Sequence, residues 1–200
     1  LMVPFPPGGI SDAVARAVVP SLSKRLGRVV IVENLGGVGG ALAAQKVLNA
    51  PADGNYLFIG SPTELVLSPL ANSAVKYKSE NFTALSMVGD MQFAITVRGN
   101  LPVANVDELL VFADTAAKKG TPITYGSVGY GSIFHLMGEQ LSKQTGIPMT
   151  HVPYKGGGPM LQDLFGGQID LLIGGYQKSM LDMANQGRIK FLASMTEKRA

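Results

Sequence analysis

The sequence contains no cysteine, which excludes a disulfide framework and any thiolate metal site. It has two histidines, His135 and His151, and neither is accompanied by a second ligand at metal-binding spacing. Charged residues make up only 16% of the chain. Its Lys and Arg are scattered, without the basic stripe that nucleic-acid binding requires. The net charge of +3 suits an anionic small molecule no better than it suits an ordinary surface. No stretch is apolar for long enough to span a bilayer. The chain opens at Leu1-Met2-Val3, with no initiator Met and no signal peptide, so further N-terminal sequence is expected.

Catalytic patterns are equally sparse. Ser132 and His135 stand three residues apart, a spacing that makes no nucleophile elbow, and Tyr125 occupies the place of the leading glycine in G-x-S-x-G. Lys155 precedes Gly156-Gly157-Gly158 instead of following them, so that turn is no P-loop. No catalytic residue, metal or cofactor is expected.

What the sequence does have is a hydrophobic content of 46%, enough for a substantial core. It also has a repeated alternation of strand-like and helix-like segments, which indicates an α/β fold with two domains and largely parallel sheets. Val3-Pro4-Phe5-Pro6-Pro7-Gly8-Gly9-Ile10-Ser11-Asp12 opens this alternation. Its prolines hold the backbone extended and cannot continue a ladder, while its glycines permit a sharp turn. Ser11 or Asp12 then stands as N-cap before the helical spacing of Val14, Val18, Leu22 and Leu26, with Pro20 inside the helix and Gly27 at its end. A helix start leaves backbone N–H groups unpaired, so this turn either holds an anion or is a plain strand-to-helix connection capped by Asp12.

A second turn of the same kind, Tyr125-Gly126-Ser127-Val128-Gly129-Tyr130-Gly131-Ser132, follows a strand and opens a helix. Two such turns in separate halves of the chain suggest two walls of one cleft. Between them, the β-branched run Arg28-Val29-Val30-Ile31-Val32-Glu33 reads as a strand buried on both faces. Gly36-Gly37-Val38-Gly39-Gly40 resembles a dinucleotide fingerprint, but Leu42 stands where the third small residue belongs. Close packing of the turn is the alternative to nucleotide binding there. Tyr56–Gly60 reads as the next strand, and the hydroxyls of Ser61 and Thr63 at its end are ligand candidates or simple caps.

The boundary between domains is placed at residues 98 and 99, giving 1–98 and 99–200. In the second domain, Val106–Ala113 reads as a helix that ends near Lys118-Lys119-Gly120, with acids early and bases late. A later strand delivers Tyr176 and Gln177 to its C-terminal end.

Together, Val3–Gly9 with Asp12 and Ala15-Arg16, Val32-Glu33-Asn34 with its glycines, Pro51-Ala52-Asp53-Gly54, Tyr125-Gly126-Ser127 with Gly129, Gly131-Ser132 and His135-Leu136, and His151-Val152-Pro153-Tyr154-Lys155-Gly156 resemble the Bug family of periplasmic solute receptors. These are the substrate-binding components of tripartite tricarboxylate transporters. The resemblance spans essentially the whole chain. It implies a Venus-flytrap, periplasmic-binding-protein fold and a periplasmic, monomeric receptor. Such a receptor captures a small carboxylate (a di- or tricarboxylate or an aromatic acid) in the cleft between its domains by hinge closure near Val97–Pro102. It then delivers the ligand to membrane subunits, with no nucleic acid and no cofactor involved. The ligand residues it implies are Phe5, Gly8, Gly9, Ile10, Ser11 and Asp12 in the first loop and Ser127, Gly129, Tyr130, Gly131 and Ser132 in the second, with His135 in support. Ser61, Thr63, Tyr176 and Gln177 complete the candidate set, the last two as departures from the family pattern that set ligand choice. The resemblance further implies a return segment to the first domain beyond Ala200. The alternative is a nucleotide-dependent α/β enzyme using Gly36–Gly40.

Overall fold

A computed structural model describes residues 1–196; residues 197–200 of the expected second domain lie outside the described residues. The chain forms two compact units. The first comprises Leu1–Asp90, Gly129–Ser132 and Lys155–Gly158, and the second comprises Met91–Val128, Ile133–Tyr154 and the chain from Pro159 onward.

In the first unit, β1 (Met2–Val3) pairs in parallel with β2 (Glu33–Asn34), Met2 opposite Glu33 and Val3 opposite Asn34. On its other side Met2 bridges Phe58, also in parallel, through Met2 N–H to Leu57 O at 2.8 Å and Ile59 N–H to Met2 O at 3.0 Å. The short, buried β1 is thus the middle of three extended segments, because prolines from Pro4 onward stop it from pairing further. Helix α1 (Ile10–Leu26) follows and runs through Pro20 to a left-handed Gly27. Its expected apolar stripe is only half-buried; the residues fully covered are Asp12 and Ala15. Helix α2 (Ala41–Leu48) buries Ala41 and Ala44 against Tyr77, Leu48, Phe58, Val75 and Phe82. Phe82 stacks on Phe58 and meets Tyr77 edge-on, each at 5.7 Å. A π-helical turn (Thr63–Leu67) leads into α3 (Ser68–Ala71).

The run 28–33 departs from expectation. Only its last residue enters a strand, and Val29 and Ile31 are 87% and 74% exposed. A continuous β-branched run specifies extended backbone, but here the segment lies along one side of β1 and its odd-numbered side chains face outward.

The second unit is a five-stranded sheet in the order β5-β4-β6-β3-β7. Its strands are β3 (Phe93–Arg98), β4 (Thr124–Ser127), β5 (Thr150–Pro153), β6 (Leu171–Gly175) and β7 (Ile189–Ser194). Four strands run one way, and β3 runs against β6 and β7 on either side of it. The connections are α4 (Val106–Lys118), α5 (Ile133–Thr145), α6 (Gly157–Gly166) and α7 (Lys178–Asn185). Asn105 caps α4 by accepting from Glu108 N–H at 2.9 Å, and Glu108 returns a bond to Ala104 N–H at 2.8 Å. Both expected strand-helix alternation and the charge order of α4 are present.

Val97, Leu101, Leu109, Ala113, Ile123, Tyr125 and Leu171 form the dry centre of this unit. Each of its larger side chains contributes about 1.5–3 kcal/mol on burial. Asp170, just before β6, ties the end of β3 to the start of β4, accepting from Arg98 Nε at 2.7 Å, Thr124 N–H at 2.8 Å and Thr124 Oγ1 at 3.0 Å. Among the described residues no helix is long and apolar enough to cross a membrane.

Candidate functional site

The Pro/Gly turn after β1 brings the chain from a buried strand to the start of α1 within six residues. Gly9, in extended conformation and without a side-chain cap bond, is the N-cap of α1. Neither Ser11 nor Asp12 takes that place, because the glycine lets the helix begin one turn earlier than a polar cap would. Asp12 is instead buried in the first helical turn and bends back. It accepts from Gly8 N–H at 3.1 Å, Arg16 Nε at 2.9 Å and Asn34 Nδ2 at 3.0 Å. Burial works to raise the pKa of Asp12, but the bonds from Arg16, Gly8 and Asn34 outweigh it, so its carboxyl stays below the usual range. Asn34 also donates to Phe5 O at 2.9 Å. One side chain at the end of β2 therefore fixes both ends of the turn. Phe5 is buried there, and Ile10 and Ser11 are half-buried.

The Gly36–Gly40 turn packs tightly in the same unit. A Cβ at Gly40 would stand 2.9 Å from Pro4 Cβ and 3.0 Å from Glu64 Cβ, so only glycine fits. Val38 holds φ +52°, in the left-handed region that a β-branched residue adopts only under strain.

Ser61 is bound to Glu64. Its N–H donates to Glu64 Oε1 at 2.6 Å and its hydroxyl to Oε2 at 2.8 Å, while Thr63 N–H reaches Ser61 Oγ at 3.3 Å. This is the capping-box arrangement that Ser61-Pro62-Thr63-Glu64 spells out. Glu64 is wholly buried, as is Thr63 nearly so. Desolvation pushes the Glu64 carboxyl up to about 7 despite the bonds from Ser61. Tyr77 donates to Glu64 O at 2.6 Å, and its phenol is pushed up to about 12 by burial and by the Glu64 charge.

After β4 the second turn has left-handed glycines at Gly129 and Gly131. Ser132, buried immediately before α5, closes it, with N–H and hydroxyl both donating to Gly129 O at 3.2 and 2.7 Å. Tyr130 at the tip is 72% exposed. Ser127 is fully buried, with Oγ 2.6 Å from His151 Nε2. The His151 ring lies 5.0 Å from that of Tyr125, stacked, and 4.3 Å from that of His135. His135 Nε2 stands 3.9 Å from Glu139 Oε1, which accepts from Tyr125 Oη at 2.5 Å. Burial, and then His135, hold the His151 imidazole below its ordinary value against a smaller opposing pull from Glu139.

At the end of β6, Tyr176 donates to Gln92 Oε1 at 2.6 Å and meets the ring of Phe191 edge-on at 5.6 Å. Gln177 is the N-cap of α7, with no side-chain cap bond.

Phe5, Gly8, Gly9, Ile10, Ser11, Asp12, Ser61 and Thr63 therefore share the first unit with Gly129, Tyr130, Gly131 and Ser132. Ser127, His135, Tyr176 and Gln177 belong to the second. Sequence reasoning assigned no role to Asn34, Glu64 or His151. The Ser-x-x-Glu spacing could have found Glu64, whereas Asn34 and His151 act through strand pairing that the sequence does not print. Among the described residues no group of three or more His, Cys, Asp or Glu could hold a metal ion. Both turns end at helix starts, where backbone donors gather; Gly8 N–H is taken by Asp12 and Ser132 N–H by Gly129 O, and Arg16 is engaged by Asp12. Such donors stabilise an anion without a fixed countercharge.

The model of the tripartite tricarboxylate transporter family receptor matches residues 14–200. A UPF0065 protein from the TAR-I ttuE-ttuC' intergenic region of Agrobacterium vitis is 42% identical over 177 residues, covering 86% of this chain and 49% of that protein. Among solved structures, MatC from Rhodopseudomonas palustris with bound malate superposes with a TM-score of 0.89 at 26% identity, over 100% of this chain and 67% of MatC. An R. palustris protein solved with adipate gives 0.84 at 32% identity, over 99% and 66%. The fold is that of periplasmic binding proteins, among them BugD, which superposes with a TM-score of 0.78 at 29% identity over 99% of this chain and 65% of BugD. The chain spans about half the length of the curated relatives it matches first.

Proposed function

Since the chain belongs to the receptor family of the tripartite tricarboxylate transporters, we propose that it is the part of a periplasmic receptor that captures a small carboxylate and hands it to membrane subunits. The ligand is a di- or tricarboxylate or an aromatic acid, taken into the cleft between the two domains by hinge closure. Its carboxylate is held by backbone amides and hydroxyls of the turns 5–12 and 127–132. The protein binds its ligand without transforming it, and it acts as a monomer.

The observation that carries this reading is the pair of glycine-bent turns, each ending at the start of a helix longer than ten residues. The bound malate and adipate of two structural neighbours support the ligand class. Ser61 spends its hydroxyl proton on Glu64, so its part in binding is through an acceptor lone pair or through the shape of the turn.

A thermal-shift screen of malate, adipate, citrate, benzoate, NAD and ATP tests the proposal. A ligand at 100 times its Kd stabilises the protein by about 2.7 kcal/mol, which is easily read. A shift with one carboxylate class and none with nucleotides is the expected result. A nucleotide shift with flat carboxylates would overturn it and return attention to Gly36–Gly40.

A further inference from the structure

The least expected chemistry in the molecule is the cluster around His151. His151 on β5 is met by Ser127 Oγ at 2.6 Å, the stacked ring of Tyr125 at 5.0 Å and the ring of His135 at 4.3 Å. Strand pairing produces this grouping. Tyr125 is opposite His151 in the parallel β4–β5 ladder, and Ser127 lies two residues on, along the same face. His135 reaches the group from the first turn of α5.

The turn Gly129–Ser132 is therefore tied to one imidazole at both ends. Ser127 stands two residues before it and His135 three residues after it. The titratable groups that face His151 are few. From β4 there is Tyr125, and from α5 there are His135 and Glu139. The next tyrosine along the chain, Tyr154, is turned to Asp163 of α6 at 2.6 Å.

We propose that His151 is a positioning residue for the carboxylate-binding turn, and that the His135–His151 pair makes capture at that turn dependent on protons. The proposal rests on the carboxylate reading given above. Two imidazoles in ring contact repel one another once both carry a proton. With no proton or one proton, the stack Tyr125–His151–His135 stays closed and Ser127 keeps its imidazole partner. With two protons, the rings part. Ser127 and the start of α5 then lose their common anchor, and the intervening turn loses its donor geometry. Carboxylate affinity accordingly falls as the solution is acidified through the second protonation. Glu139, bonded to Tyr125 Oη and 3.9 Å from His135 Nε2, pulls the His151 imidazole toward its cationic form.

The test uses the chain labelled with ¹⁵N, together with His135→Phe and Glu139→Gln. The first variant keeps a ring against His151 and removes one titrating group. The second keeps an acceptor for Tyr125 and removes the charge. The wild-type amide resonances of Gly129, Gly131 and Ser132 are expected to move with the histidine titration. They should stay still in H135F, and move at lower pH in E139Q. In calorimetry with malate and adipate, wild-type affinity divided by that of H135F should fall about tenfold between about pH 7.5 and about pH 5.5. Taking this ratio cancels the ligand's own protonation. Turn amides that ignore the histidine titration, or the same pH profile in wild type and H135F, would overturn the proposal. If neither acid binds near neutral pH, the carboxylate reading fails for those two ligands, and the amide titration decides the proton link alone.

Discussion

Replacing Glu64 by glutamine should stabilise the protein, and only above a definable pH. Glu64 is fully buried, and both of its carboxyl oxygens accept from Ser61. Its pKa rises from 4.5 to about 7. Between those values the folded state holds a proton that the unfolded chain has released. The stability is therefore fully present below about 4.5 and is lost as pH rises through about 7. At about 1.4 kcal/mol for each tenfold change in proton affinity, the distance amounts to about 3 kcal/mol. Glutamine reproduces the protonated form, with Oε1 accepting from Ser61 N–H and the amide donating to Ser61 Oγ, and it cannot ionise. Urea unfolding of both proteins at about pH 4 and about pH 8 isolates this group, because every other titration is common to the two. Equal stabilities are expected in acid, with E64Q ahead by about 3 kcal/mol in base. That difference corresponds to about 6–12 °C in Tm for a chain of this size. Stability curves that stay parallel across the range would refute the reasoning, as would a wild type that gains on E64Q with rising pH.

Three further substitutions address other parts of the fold. Asp12→Ala should cost about 2 kcal/mol in a denaturant melt, because Gly8 N–H and Asn34 Nδ2 lose a buried acceptor; a loss under about 0.5 kcal/mol would show that the turn does not depend on it. Gly138→Ala, at a position where alanine ordinarily favours a helix by about 1 kcal/mol, should instead destabilise by about 1–3 kcal/mol. The added methyl would overlap the ring of Tyr125, and a raised Tm would refute that packing. Thr96→Val removes a hydroxyl that is buried in the interior strand β3 with no partner among the described residues, and should raise stability by about 1 kcal/mol.

Local chemistry made much of this fold legible. The Asn105–Glu108 cap, the acids and bases of α4 and the glycine-bent turns before α1 and α5 follow from neighbours within a few residues. The capping box at Ser61–Glu64 is written in the chain with equal clarity, although its consequence, an ionisable group enclosed at neutral pH, depends on what covers it. Contacts between distant strands were not legible. Ser127 and His151 are 24 residues apart and meet only because β4 and β5 pair in parallel in one particular register. In the obvious sequence pair, Ser132 with His135, the serine hydroxyl turns back to Gly129 O. Asn34 links β2 to the first turn in the same non-local way. Val29 and Ile31 misled because β-branching reports extended backbone and says nothing of which side a neighbour occupies. Phe5, Gly8 and Gly9 were recognisable as a turn, but the choice of Gly9 over Ser11 as cap was not, since both satisfy the helix start locally.

The position of β3 governs the order in which the second unit can assemble. Phe93–Arg98 is the first strand of its sheet to leave the ribosome, yet its partners are β6 and β7, the last two. Its two edges stay open until residues 171–175 and then 189–194 have been made. Contacts of such long sequence separation slow folding and leave an apolar strand uncovered during synthesis. Nascent chains halted before Ile189 are therefore the ones that a chaperone should hold most firmly, and release should coincide with the arrival of β7.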